Sequence, residues 1–107
     1  MSPFIDLSDL DTRELMPGFH GKFIHSDRMT VVFWTIDAGA ELPEHAHPHE
    51  QFTTVLEGQF EMTVAGETSQ LAAGKAVMIP SNAAHSGKAL TTCRIVDVFQ
   101  PPRDEYR

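Results

Sequence analysis

The 107 residues offer room for one domain with its own core. Hydrophobic residues at 41% and charged residues at 21% form an ordinary globular composition and exclude a disordered chain. Fifteen Asp and Glu against eight Lys and Arg give a net charge of -7. That balance lacks the basic footprint a nucleic-acid binder needs and disfavours an anionic membrane surface, so neither partner is expected. Cys93 is the only cysteine, which excludes an internal disulfide.

In chain order, residues 1–19 read as a lead-in. Leu7, Leu10 and Leu15 fit one short helical face, with Ser8 as its cap and Pro17-Gly18 as its end. This start is acidic and has no continuous apolar stretch, unlike a signal or transit peptide. No apolar run is long enough to cross a bilayer, and a cytoplasmic location is expected.

Short strands follow, expected at residues 22–25, 29–37, 51–56, 59–65, 68–71, 76–79 and 91–99. Glu57-Gly58 reads as a hairpin turn, Gly66-Glu67 and Ala73-Gly74 as further turns, and Pro80-Ser81-Asn82 as a break. Pro101-Pro102 stops the sheet and leaves a polar tail. The pattern predicts an all-β sandwich or small barrel in a single domain, 1–107, with lead-in 1–19, barrel 20–100 and tail 101–107.

Three of the six histidines fall in the run His45-Ala46-His47-Pro48-His49. On an extended chain His45 and His47 share a face, a spacing at which two imidazoles can hold one metal ion. Gln51 returns to the same place if Pro48–Glu50 bend, and His85, far along the chain, supplies a third imidazole. Glu50 is the alternative fourth ligand, but strand alternation turns it away from His45 and His47, which favours Gln51. His49, beside a proline in a turn, is expected to point outward, and His20 and His25 are read as ordinary surface or strand residues.

Two spacings here resemble the paired motifs of the cupin family. Gly39-x5-His45-x-His47-x3-Gln51-x6-Gly58 resembles the first and Gly74-x5-Pro80-x-Asn82-x2-His85 the second. The resemblance implies a jelly-roll barrel of six to eight strands around one divalent metal ion. Zinc, nickel, manganese and iron all suit three imidazoles and an amide oxygen. The chain departs from the general pattern at Gln51, where most cupins carry Glu, at Asn82, where Gly is usual, and at Ala89, where Asn is usual. Four neutral donors leave the ion its full charge, which favours anionic ligands and fits poorly with iron chemistry that relies on an anionic ligand.

The last strand and tail read Asp97-Val98-Phe99-Gln100-Pro101-Pro102-Arg103. Asp97 and Phe99 share one face. Either that face meets solvent and Arg103 is a tail charge, or Asp97 faces inward, where a carboxylate needs a partner or a task.

The run His47-Pro48-His49-Glu50-Gln51, taken with Asp97-Val98-Phe99-x-Pro101-x-Arg103, resembles the KdgF-type pectin-degradation proteins among small cupins. That resemblance implies opening of unsaturated uronates released from pectin or alginate, a small anionic sugar substrate. It places metal ligation on His45, His47, Gln51 and His85, acid/base work on Asp97, the pocket aromatic on Phe99, and substrate anchoring on Arg103. A homodimer is expected, since small cupins are often dimers. Two other classes stay open: a metal-bound sensor of sugars or small acids, which would not need Asp97, and an iron dioxygenase.

Overall fold

The computed structural model describes residues 2–107. Ten strands carry them: β1 Arg13–Met16, β2 Phe19–His25, β3 Thr30–Ile36, β4 Glu41–His45, β5 Glu50–Glu57, β6 Gln59–Val64, β7 Glu67–Ala72, β8 Ala76–Ile79, β9 His85–Ala89 and β10 Cys93–Gln100. They form a six-stranded sheet in the order β1-β2-β3-β10-β5-β8 and a four-stranded sheet in the order β4-β9-β6-β7. All pairings are antiparallel, and the two sheets make the jelly-roll barrel. Among the described residues no helix is long and apolar enough to cross a membrane.

Period-two alternation decides what enters the barrel. On β3 the inward residues are Thr30, Val32, Trp34 and Ile36, and on β10 they are Cys93, Ile95, Asp97 and Phe99. β10 lies between β3 and β5 in a register that sets Asp97 opposite Thr53 and Phe99 opposite Gln51. Three polar residues, Gln51, Thr53 and Asp97, therefore face inward beside Phe99 at one end of the sheet. Past them the interior is apolar, filled by Ile36, Val55, Phe60, Met62, Leu71 and Ile95. Complete burial of a side chain such as Phe60 contributes about 1.5–3 kcal/mol.

The seven expected strands are present with ends shifted by up to three residues, and three more, β1, β4 and β9, were not anticipated. β4 contains Pro43, and β9 reads His-Ser-Gly-Lys-Ala, a composition without the β-branched and aromatic enrichment that marks strands. The expected helical face in the lead-in does not form. Residues Leu7–Asp9 make one 3-10 turn, and Asp6 rather than Ser8 caps it, accepting from the Ser8 amide. Leu15 belongs to β1, which pairs with β2 and extends the six-stranded sheet into the region read as lead-in. The polar tail also folds, with a 3-10 turn at Asp104–Tyr106.

Glycine is required at the β5–β6 turn. Gly58 has φ +90°, and a Cβ there would lie 2.2 Å from the Thr92 carbonyl oxygen. Gly58→Ala is expected to lower stability by at least about 2 kcal/mol, from left-handed strain plus the clash. Denaturant unfolding checks this, and an unchanged midpoint would contradict the packing described.

Candidate metal centre

The two motif regions meet because their loops bond each other. The connection from β4 to β5 carries His47 and Pro48, whose carbonyls accept from the Asn82 amide at 2.8 Å and the Ser81 hydroxyl at 2.6 Å. Asn82 has φ +65°, which explains why glycine is the usual residue here and why asparagine, tolerant of that region, can replace it. His85 then opens β9 directly opposite His45 at the end of β4.

One ring nitrogen from each of His45, His47 and His85 lies within 4.8 Å of the other two. The three rings share a tautomer. Nδ1 of His45 lies 3.0 Å from the Pro43 carbonyl, Nδ1 of His47 lies 3.1 Å from that of His49, and Nδ1 of His85 lies 2.9 Å from that of Ala83. A carbonyl only accepts, so each Nδ1 carries the proton and each Nε2 keeps a lone pair. The His85 Nε2 is buried with no hydrogen-bond partner. The His47 Nε2 faces the Gln51 Oε1 at 3.1 Å, an acceptor against an acceptor. Burial holds the His47 pKa down to about 4, helped by the nearby Arg103 charge, and burial also lowers His85. A proton is therefore a poor bridge between His47 and Gln51. A divalent ion fits the donor set: three neutral imidazoles, one orphaned, and a neutral amide oxygen.

Gln51 is buried and Glu50 exposed, as alternation required. His49 departs from expectation. It is only 8% exposed, with its ring edge-on to His47 and Phe99 and its Nδ1 buried without a partner. The turn is pinned to the loop after β8, and this draws His49 inward. His20 and His25 also have partners: His20 pairs with Asp37 at 3.2 Å, and the His25 Nδ1 lies 2.8 Å from the Thr30 hydroxyl.

Asp97 is buried and lines a cavity together with His45, His85, Gln51, Phe99 and Arg103. Its Oδ1 accepts from the Thr53 hydroxyl at 2.6 Å and its Oδ2 from the Trp34 indole N–H at 2.8 Å. Burial raises its pKa, while those hydrogen bonds and the Arg103 charge pull the other way. Arg103 turns back over the barrel after Pro101-Pro102. Its amide donates to the Thr30 hydroxyl at 2.8 Å and its Nε to Glu105 at 2.7 Å. Its guanidinium lies 5.1 Å from the Phe99 ring centre and 4.3 Å from that of Tyr106. The tail is clamped by Tyr106, whose ring packs edge-on against Phe23, Trp34 and Phe99 and whose carbonyl accepts from Arg13. Burial pushes the Tyr106 pKa up to about 12, so its hydroxyl stays neutral.

The cavity itself is about 30 Å³, enough for about one water or ion. Outside it lies a groove of about 420 Å³ between β1, β4 and the tail, sharing Met16, Leu42, His45, Arg103 and Tyr106 with the cavity. Sequence reasoning did not single out Trp34, Thr53, Glu105 or Tyr106. Alternation from Gln51 could have found Thr53, two residues on along the same face, whereas Tyr106 gave no signal because the tail has no periodicity.

Residues 32–99 match the family model of the cupin domain. The structure superposes on KdgF from Halomonas sp. with a TM-score of 0.93, at 29% identity and with all of both chains covered. A RmlC-like cupin from Shewanella frigidimarina gives a TM-score of 0.94 at 26% identity, covering 100% of this chain and 97% of the other. In sequence, the chain is 28% identical over 100 residues to H2HPP isomerase of Bacillus subtilis, covering 91% of this chain but 42% of that protein.

The depressed imidazole pKa values carry a sign for stability. In the unfolded chain these rings titrate near 6.5, above the folded value of about 4 for His47. Between those values the unfolded state binds more protons, so this contribution is present above about pH 6.5 and lost as pH falls toward 4. Asp97, raised by burial, acts in the opposite sense. The comparison that isolates His47 is metal-free wild type against His47→Gln, by urea unfolding between about pH 7.5 and 5. Wild type should lose stability more steeply on acidification, and parallel profiles would contradict a neutral buried His47.

Proposed function

The chain belongs to the cupin family, and from that premise we propose that it is a metal-dependent enzyme opening 4,5-unsaturated uronates to linear keto-deoxy forms. The overall likeness to KdgF supports this reading, as does the resemblance of its motifs to the pectin-degradation proteins. The isomerase among its relatives supports an enzymatic role in general. The observation that carries it is the placing of Asp97, Phe99 and Arg103 in one cavity with His45 and His85, two of the three convergent imidazoles.

His45, His47, His85 and Gln51 would hold the ion. Bound there by neutral donors, it supplies attraction for the substrate carboxylate and stabilisation of developing negative charge. The remaining work falls to side chains. The reaction is an isomerisation: the anomeric hydroxyl loses its proton, the bond from C1 to the ring oxygen breaks, C4 gains a proton and C5 becomes a ketone. One proton is lost and one gained, so a single carboxylate, Asp97, serves both ends. Its burial moves its pKa upward toward the range useful for proton transfer. Arg103 lines both cavity and groove and would hold a substrate oxygen or the carboxylate through paired N–H groups. Phe99 would pack against the sugar and exclude water. A uronate ring exceeds a 30 Å³ cavity, so its body would occupy the groove with the reacting end at Asp97.

A second reading rests on the groove's apolar rim of Leu15, Met16, Leu42 and Pro43. These residues favour a carboxylate with a less polar body, isomerised by the same Asp97.

The test follows the ultraviolet absorbance of the conjugated double bond in 4,5-unsaturated galacturonate. Wild type should accelerate its decay beyond the spontaneous rate, and Asp97→Asn should lose about 10²–10⁴-fold. Wild-type turnover in Asp97→Asn would remove Asp97 from the chemistry. No acceleration by wild type with any unsaturated uronate would favour the second reading or a sensor that binds without turnover.

A further inference from the structure

The amide of Gln51 is held in an orientation that its contact with His47 alone would not favour. Its Oε1 faces the lone pair of His47 Nε2 at 3.1 Å. Turned by 180°, the same amide would present its NH₂ and make a hydrogen bond to that lone pair. The group that opposes this turn is Thr53. Its hydroxyl accepts from the Gln51 Nε2 at 2.8 Å and donates to the Asp97 Oδ1 at 2.6 Å. Resting on the metal-centre reading above, we propose that Thr53 is a positioning residue that directs the Gln51 oxygen toward the metal by transmitting the donor–acceptor polarity of Asp97.

The polarity follows from hydrogen-bond inventory. An ionised carboxylate only accepts, so the single Thr53 proton goes to Asp97. The hydroxyl is left with lone pairs, and what meets it from Gln51 must be the N–H end. The oxygen end then has one place to go, toward the imidazoles. Thr53 is 1% exposed, so no solvent molecule competes for its hydroxyl. Strand register makes the arrangement rigid: Thr53 pairs directly with Asp97 across β5 and β10, and Gln51 sits two residues before Thr53 on the same inward face. The Thr53 hydroxyl thus ties the proposed acid/base group to the proposed ligand, and the N–H end of Gln51 also acts on Asp97 in the same sense.

The experiment measures zinc affinity of chelator-stripped protein by competition with a chromophoric chelator, a readout independent of turnover. Thr53→Val keeps the shape and removes the hydroxyl; Thr53→Ser restores it. Loss of such an outer partner typically weakens metal binding about 10–100-fold. Thr53→Val should weaken zinc by that factor, and Thr53→Ser should bind close to wild type. In a Gln51→Ala background, Thr53→Val should cost nothing further, because Thr53 acts through Gln51. Thr53→Ala gives the same comparison if Thr53→Val does not fold. Wild-type affinity in the hydroxyl-free variant, or equal losses with and without Gln51, overturns the role given to Thr53 alone. A wild type that binds no zinc overturns both this role and the metal centre.

Discussion

Asp97 can only accept hydrogen bonds when ionised, and it is buried away from bulk solvent. Two donors have to come from the protein, and β3 and β5 deliver them as Trp34 and Thr53. Each is placed by register, since β10 runs between those two strands. Once the carboxylate is satisfied in this way, the direction of the next hydrogen bond, from Gln51 to Thr53, is set as well. A buried carboxylate leaves little freedom in its surroundings, because an unsatisfied charge costs several kcal/mol. Trp34, Asp97, Thr53 and Gln51 therefore form one connected network rather than separate pairs.

The imidazoles obey a parallel constraint from the other side of the barrel. Each gives its Nδ1 proton to a backbone carbonyl two residues away, on β4 for His45 and in the two mutually bonded loops for His47 and His85, so ring orientation is set by main chain. Burial keeps His47 and His85 neutral. A chain with a net charge of -7 thus encloses a donor set with no negative charge of its own, next to one carboxylate and one guanidinium. The attraction such a site exerts on an anionic substrate is local and does not follow the sign of the whole protein.

Much of this was legible because it depends on spacing. The interval between His45 and His47, the alternation that turns Gln51 inward and Glu50 outward, and the shared face of Asp97 and Phe99 all follow from a two-residue period. Strands of ordinary composition, such as β3 and β10, were equally clear. What stayed hidden depends on contacts between distant segments. β4 and β9 are polar and carry Pro43 and Gly87, so their pairing is visible only when His45 and His85 are seen opposite each other. His49 turned inward because Ser81 and Asn82 bind its loop, a contact across more than thirty residues of sequence. The tail offered no period at all, yet Arg103 and Tyr106 are held by Thr30 and by three aromatic rings.

The central claim is that three imidazoles and the neutral Gln51 amide together form one metal site. X-ray absorption on zinc-loaded protein measures this directly. The account predicts a shell with three imidazole nitrogens at about 2.0–2.1 Å and at least one oxygen. A shell with fewer than three imidazoles, or one unchanged in Gln51→Ala, would contradict it.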